Sequence, residues 1–412
     1  MRPDPNSSNA HAAPRRRALM AGLAGAGVAM APCAGAQSAG ESLAFVEPAL
    51  RASAAQITTL LTGLPNATRM PRTVERGALV RVQREDWTSG FFPGVLWLLY
   101  EATGEHDWRE AARRFTRTLE PLRHFRDHHD VGFMLGCSYG NALRLAEAPG
   151  DRAVLVDGAR ALATRFDPRV GLIRSWDHGG WAYPVIIDNL MNLELLIWAS
   201  REAADPRLLE IAVRHADGTL AHHCRPDGSA FHLVDFDPAT GAVRDRRTVQ
   251  GAADGSAWAR GQAWGLYGFT AMYRETRHAR YLAQAERMAR FVMDHPRLPA
   301  DRIPYWDFDA PGIPNAPRDA SAGAIIAGAL LELATLTADR DLARRAHALA
   351  REQLRALSSP AYFAARGENG GFLLRHSVGA LPHRAEIDVP LVYADYYFLE
   401  AMLRLRRAGK RS

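Results

Sequence analysis

The residues best suited to chemistry fall between apolar runs, not inside them. Asp86-Trp87-Thr88-Ser89-Gly90 stands before one such run and His128-His129-Asp130-Val131-Gly132-Phe133 opens another. Trp176-Asp177 and Trp181 lead into Pro184-Val185-Ile186-Ile187-Asp188-Asn189-Leu190-Met191. Gln250, Asp254, Trp258, Arg260, Gln262 and Trp264 crowd a fourth stretch. Tryptophans beside carboxylates, amides and an arginine make the composition of a sugar site, because flat rings stack on pyranose faces while polar groups read hydroxyls. Asp188 stands out among the carboxylates. Its neighbours are apolar, so ionisation there is costly, and a raised pKa is what a general acid requires.

Plainer readings compete with these. Asp130 and Asp188 both open helical segments, where aspartate caps free backbone N–H groups or complements the helix dipole. The His128-His129 and His222-His223-Cys224 clusters have no recognised zinc spacing, and no metal site is expected. Trp97 and Trp198, deep in helical segments, read as core. Trp258 and Trp264 flank Arg260 in a glycine-broken stretch that core packing explains less well.

The elements that must position these residues are helical. Beyond residue 40, apolar residues recur at i, i+3, i+4 and i+7 over 43–63, 93–103, 107–120, 131–147, 151–165 and 185–200. The same period returns over 207–222, 256–276, 278–294, 319–338, 340–356 and 388–407. Tight turns carrying Gly, Pro or Asp alternate with long loops at 64–92, 121–130, 166–184, 223–255, 295–318 and 357–387. Six helical hairpins with alternating short and long connections predict an all-α fold, an (α/α)6 barrel with small β-hairpins in the long loops. Phe231–Phe236 is one strand-like stretch there. No consensus repeat of fixed period favours an open solenoid instead.

Bulk composition narrows the function classes. The 412 residues are 47% hydrophobic and 23% charged, with a formal charge of +6. Arg2, Arg15, Arg16 and Arg17 against Asp4 supply half of that excess within residues 1–36. The remaining charge is too mild and scattered for a nucleic-acid partner. Arg15-Arg16-Arg17, a Gly/Ala-rich apolar run to Ala31 and Ala34-Gly35-Ala36 form a signal-peptide pattern of the twin-arginine kind. Residues 1–36 are therefore expected to be a leader, 37–412 a single catalytic domain, and the protein exported, to the periplasm. No stretch has the ~18 uninterrupted apolar residues of a membrane span. Only Cys137 and Cys224 would remain after cleavage, which is no disulfide framework.

Seven strings in order make the chain recognisable: DWTSGFFPGVLWLLYEATGE, HHDVGFMLGCSYGNAL, IIDNLMNLELLIWAS, DGSAFHLVDFDPATG, QGAADGSAWARGQAWGLYGF, RDASAGAIIAGALLEL and VYADYYFLEA. From about Phe45 to Leu405 it resembles glycoside hydrolase family 88, the unsaturated glucuronyl hydrolases. The resemblance implies an (α/α)6 barrel without metal or organic cofactor. It also implies hydration of the C4=C5 double bond that an upstream polysaccharide lyase leaves on an anionic, unsaturated oligosaccharide. By that resemblance Asp188 is the general acid/base and Asp130 the second essential carboxylate. Gln250, Trp258, Arg260 and Trp264 match residues that hold the unsaturated sugar, and His232, Trp87, His129 and Trp176 belong to the same pocket. The loop from Asn369 to Asp388 should cover the site, with Ser377 the nearest candidate to contact the uronate carboxylate.

Three alternatives stay open at this point. A conventional inverting glycosidase on the same barrel would set Asp130 and Asp188 across the scissile bond. A non-catalytic glycan-binding protein would need only the tryptophans. A hydrolase of unsaturated rhamnogalacturonan is a nearer rival, disfavoured by HHDVGF and WARGQAW.

Overall fold

Alternating turns and periodic segments give twelve α-helices among the described residues, which are 43–64 and 66–410 of the computed structural model. The expected leader, 1–36, lies outside them. The helices are α1 Val46–Thr62, α2 Phe91–Thr103, α3 His106–Arg117, α4 Asn141–Ala146, α5 Asp151–Ala163 and α6 Leu193–Glu202. They continue as α7 Pro206–His222, α8 Ala259–Thr276, α9 Ala279–Asp294, α10 Ala320–Leu336, α11 Arg340–Leu357 and α12 Val392–Gly409.

Burial separates the helices into two rings. α8 is buried at every position from Ala259 to Met272, and α10 from Ala320 to Leu331. A helix apolar all round must lie inside. α11 instead buries a stripe of Leu342, Ala346, Leu349, Ala350, Gln353, Leu354 and Leu357, the period of an outer helix. The inner ring runs α2, α4 with the π-helical turn before it, α6, α8, α10 and α12; each touches the next and α12 returns to α2. That closes the (α/α)6 barrel.

Three boundaries differ most from the periodicity, each for a local reason. The segment 131–147 begins as a π-helix, Gly132–Gly140, before α4; such wide turns favour functional sites. The segment 185–200 begins with β5, Pro184–Ile186, and a 3-10 turn, Ile187–Asn192, before α6. Pro184 and the β-branched Val185 and Ile186 favour extended backbone there. The last helix starts at Val392, not 388, because Ala385–Val389 is a strand and Pro390 separates the two.

The strands all fall in the long connections that lead into inner helices. β1 Met70–Glu75 pairs with β2 Ala78–Val82, and β3 Phe166–Asp167 with β4 Leu172–Ile173. β5 joins β6 Leu233–Phe236 and β7 Val243–Arg247 in an antiparallel sheet, over a satellite core of Leu172, Tyr183, Val185, Val234 and Phe236. β8 Ser377–Ala380 pairs with β9, Ala385–Val389. Among the described residues no helix is long and apolar enough to cross a membrane.

Candidate active site

Every inner helix presents its N-terminal end to one rim, and the residues just before or within those first turns converge on a cavity of about 320 Å³. Trp87 precedes α2, Asp130 the π-helix and Asp188 α6, while Arg260 lies in the first turn of α8 and Tyr393 in that of α12. Each helix N-terminus at this mouth contributes a partial positive charge.

The two aspartates are held by turns fastened to each other. Phe133 donates its backbone N–H to Asn192 Oδ1 at 2.9 Å. A Cβ on Gly132 would stand 2.6 Å from Asn192 Cα, so only glycine lets the Asp130 turn approach the Asp188 turn this closely. Ser175 braces both sides. Its carbonyl accepts from His129 N and lies 3.1 Å from His129 Nδ1, and its Oγ bonds Asn189 Oδ1 at 2.8 Å.

Neither carboxylate caps its helix. Asp130 sits between two imidazoles, with His128 Nδ1 3.1 Å from Oδ2 and His129 Nε2 3.1 Å from Oδ1. Burial alone would raise its pKa, but the two histidines outweigh burial and hold it below the usual range. Asp188 is in the opposite condition. It is 6% exposed, and its Oδ2 has no hydrogen-bond partner among the described residues. Burial drives its pKa up to about 7; Arg260 opposes the rise and the Asp130 charge adds to it. One carboxylate is thus kept ionised and its neighbour kept protonated near neutrality, the division of an acid/base pair.

Arg260 is 1% exposed, and both its terminal nitrogens are engaged. It donates to Asp319 Oδ2 at 3.1 Å, to the Val378 carbonyl and, at 2.6 Å, to the Gly379 carbonyl. Gln250 Nε2 donates to the same Gly379 carbonyl at 3.1 Å. These two residues hold β8 as a wall of the cavity.

Seven of the sequence-predicted site residues line the cavity together: Asp130, Asp188, His129, Gln250, Arg260, Trp87 and Trp176. Trp258, His232 and Trp264 do not. Trp258 packs beneath Arg260, its ring 4.5 Å from the guanidinium carbon and 4.5 Å from the His232 ring. His232 accepts from the Val249 backbone N–H and fixes the start of the Gln250 loop; burial lowers its pKa to about 3. Trp264 supports the floor through Phe133, 5.1 Å between centroids. Ser377 is fully buried at the start of β8, behind a cover formed instead by Gly379, Ala380, Ala385 and Glu386. Trp97 is core, whereas Trp198 is half-buried and borders a second cavity, towards the opposite ends of the inner helices.

The cavity also contains residues the sequence did not single out: Arg72, Phe133, His178, Tyr393 and Glu386. His178 stacks on Trp176 at 5.7 Å and 15°, extending its flat face. Among the described residues no group of three or more His, Cys, Asp or Glu stands where it could hold a metal ion.

No family model matches the chain. It is 45% identical to an unsaturated glucuronyl hydrolase of Formosa agariphila over 345 residues, 82% of this chain and 85% of that one. An unsaturated chondroitin disaccharide hydrolase of Streptococcus pyogenes is 34% identical over 330 residues, 77% and 81% of the two chains. Among solved structures, an unsaturated glucuronyl hydrolase specific for heparin matches with a TM-score of 0.87 at 45% identity, over 89% of this chain and 98% of that one. The enzyme from a Bacillus species matches with a TM-score of 0.82 at 34% identity, over 87% and 96%. The chain belongs to the unsaturated glucuronyl hydrolases, glycoside hydrolase family 88.

Proposed function

We propose that the protein releases a 4,5-unsaturated uronic acid from the non-reducing end of lyase-generated oligosaccharides by hydrating the C4=C5 enol ether. The observation that carries this is Asp188, a buried carboxyl whose Oδ2 has no hydrogen-bond partner among the described residues and whose pKa burial raises to about 7. Protonated, it gives its proton to C4 and leaves a cation at C5 that the ring oxygen stabilises. Ionised, it then takes a proton from the water that attacks C5. The resulting hemiketal opens to a C5 ketone, and the glycosidic oxygen departs with the shortened saccharide. Asp130, kept anionic by His128 and His129, orients the substrate and raises the proton affinity of Asp188. Trp87 and the stacked Trp176–His178 pair give flat faces for sugar rings.

The family relatives act on glycosaminoglycan-derived sugars, which supports that substrate class here. The test is selective turnover. The enol-ether absorbance of an unsaturated disaccharide should disappear, and the saturated counterpart should remain uncleaved. A conventional inverting glycosidase would cleave the saturated compound as well.

The reading extends to location. The leader pattern at residues 15–36 supports export by the twin-arginine route, to a periplasm where a polysaccharide lyase supplies the substrate. Lysine at both Arg16 and Arg17 should leave the protein in the cytoplasm, as fractionation would show; normal export of that variant would contradict the route.

A further inference from the structure

Arg72 reaches the cavity from β1 and is gripped on two sides. Its Nε and Nη2 donate to Glu386 Oε1 and Oε2 at 2.6 and 2.9 Å, and its Nη1 donates to Asp86 Oδ2 at 2.8 Å. The Glu386 carboxylate lines the same cavity as Asp130 and Asp188, with its side chain only 8% exposed. Two features of the wall accommodate it. Glu386 takes a left-handed backbone, φ 53°, a conformation kept at a non-glycine residue only when its surroundings enforce it. Gly379 opposite has no side chain, and a Cβ there would stand 2.3 Å from Glu386 Oε2.

The charges facing this wall come from five elements. Arg72 on β1 and Arg260 on α8 meet Asp86 before α2, Glu386 on β9 and Asp319 at the start of α10. Tyr393 on α12 adds a neutral hydroxyl, its pKa pushed upward by burial. Two guanidinium groups against three carboxylates leave one net negative charge. Each Arg72 guanidinium nitrogen already donates to a carboxylate, and Arg260 donates to Asp319 and two carbonyls. An anion beside Arg72 would also stand beside the Glu386 carboxylate, and one that displaced Glu386 would leave a buried carboxylate unpaired, a large penalty. A hydroxyl at the same place bonds to the carboxylate without that penalty.

We propose that the Arg72–Glu386 pair is a specificity device that makes this wall accept a sugar hydroxyl and reject a sulfate ester. Specificity built on an unfavourable charge meeting is as effective as an added attraction. The inference rests on the hydration reading, and the uronate carboxylate, common to all substrates, cancels from the comparison.

The test measures kcat/KM for unsaturated uronate–N-acetylhexosamine disaccharides, unsulfated or carrying one sulfate, on the uronate 2-position or the hexosamine 6-position. At one of these positions the wild type should disfavour the sulfated compound by roughly tenfold or more. Glu386→Gln, which keeps the shape and removes the charge, should raise the sulfated-to-unsulfated ratio about tenfold. Arg72→Gln should lower it further, because Glu386 then faces the ligand without its guanidinium partner. Opposite movements of one ratio from the two halves of a single ion pair are not expected of a merely structural tie. Should Arg72→Gln fail to fold, as its melting transition would reveal, Glu386→Gln alone decides. A wild type that prefers both sulfated compounds overturns the proposal, and so does a ratio unmoved by Glu386→Gln. A wild type inert on every unsaturated disaccharide would instead bring down the hydration reading on which it rests.

Discussion

Asp188→Asn should lower turnover by about 10² to 10⁴, the scale of lost acid–base catalysis, while the protein stays folded. Asparagine fills the same space but cannot deliver a proton to carbon or take one from water. The wild-type pH profile should carry the same signature. Catalysis begins from the protonated acid, so kcat/KM should fall as pH rises through about 7, the pKa that burial imposes on Asp188. Stability should move the opposite way in the variant. The folded-state pKa lies above the ordinary value of an aspartate, about 4, so between about pH 4 and 7 the folded protein binds more protons than the unfolded chain. Wild-type stability therefore falls across that window as pH rises. Asp188→Asn removes the cost of an ionised buried carboxylate and should be more stable at pH 8 by on the order of 2–4 kcal/mol, as thermal unfolding would show. A variant with near-normal turnover would remove Asp188 from the mechanism.

Asp130→Asn should also be severe, with turnover reduced roughly 10²-fold, but its pH profile should differ in kind. The Asp130 charge raises the pKa of Asp188. Without that charge Asp188 ionises more readily, so the alkaline limb of kcat/KM should shift to lower pH. Loss of activity with the limb unmoved would mean that Asp130 acts only on the substrate. The variant should fold normally, because Asp130 makes no capping bond and its turn is held by the Gly132–Asn192 contact and by Ser175.

Asp188 was legible in the sequence because a carboxylate inside Pro184–Met191 has few plain explanations. The helices were legible because their burial repeats along the chain, and their starts shifted most where the Gly132–Gly140 π-helix, strand-forming residues or Pro390 intervened. Trp258 and Trp264 show what periodicity leaves out. Their composition matches a stacking site, yet α8 is buried all round from Ala259 to Met272, and only the three-dimensional structure shows Trp258 behind Arg260 and Trp264 behind Phe133. Arg72 left no sequence signal, and Glu386 none beyond its place in the 369–388 loop expected to cover the site. They lie 314 residues apart, and nothing local marks a glutamate in left-handed backbone or the glycine that makes room for it.

The central claim is that water adds to the double bond and not to the anomeric carbon. Turnover in labelled water, followed by proton NMR and mass spectrometry of freshly formed product, tests it most directly. Hydration predicts one solvent deuteron at C4, mainly on one face, with solvent oxygen at C5 and the glycosidic oxygen retained by the leaving saccharide. Early time points keep later exchange at C4, next to the new C5 ketone, out of the measurement. Solvent oxygen at C1 with no deuterium at C4 would contradict the account.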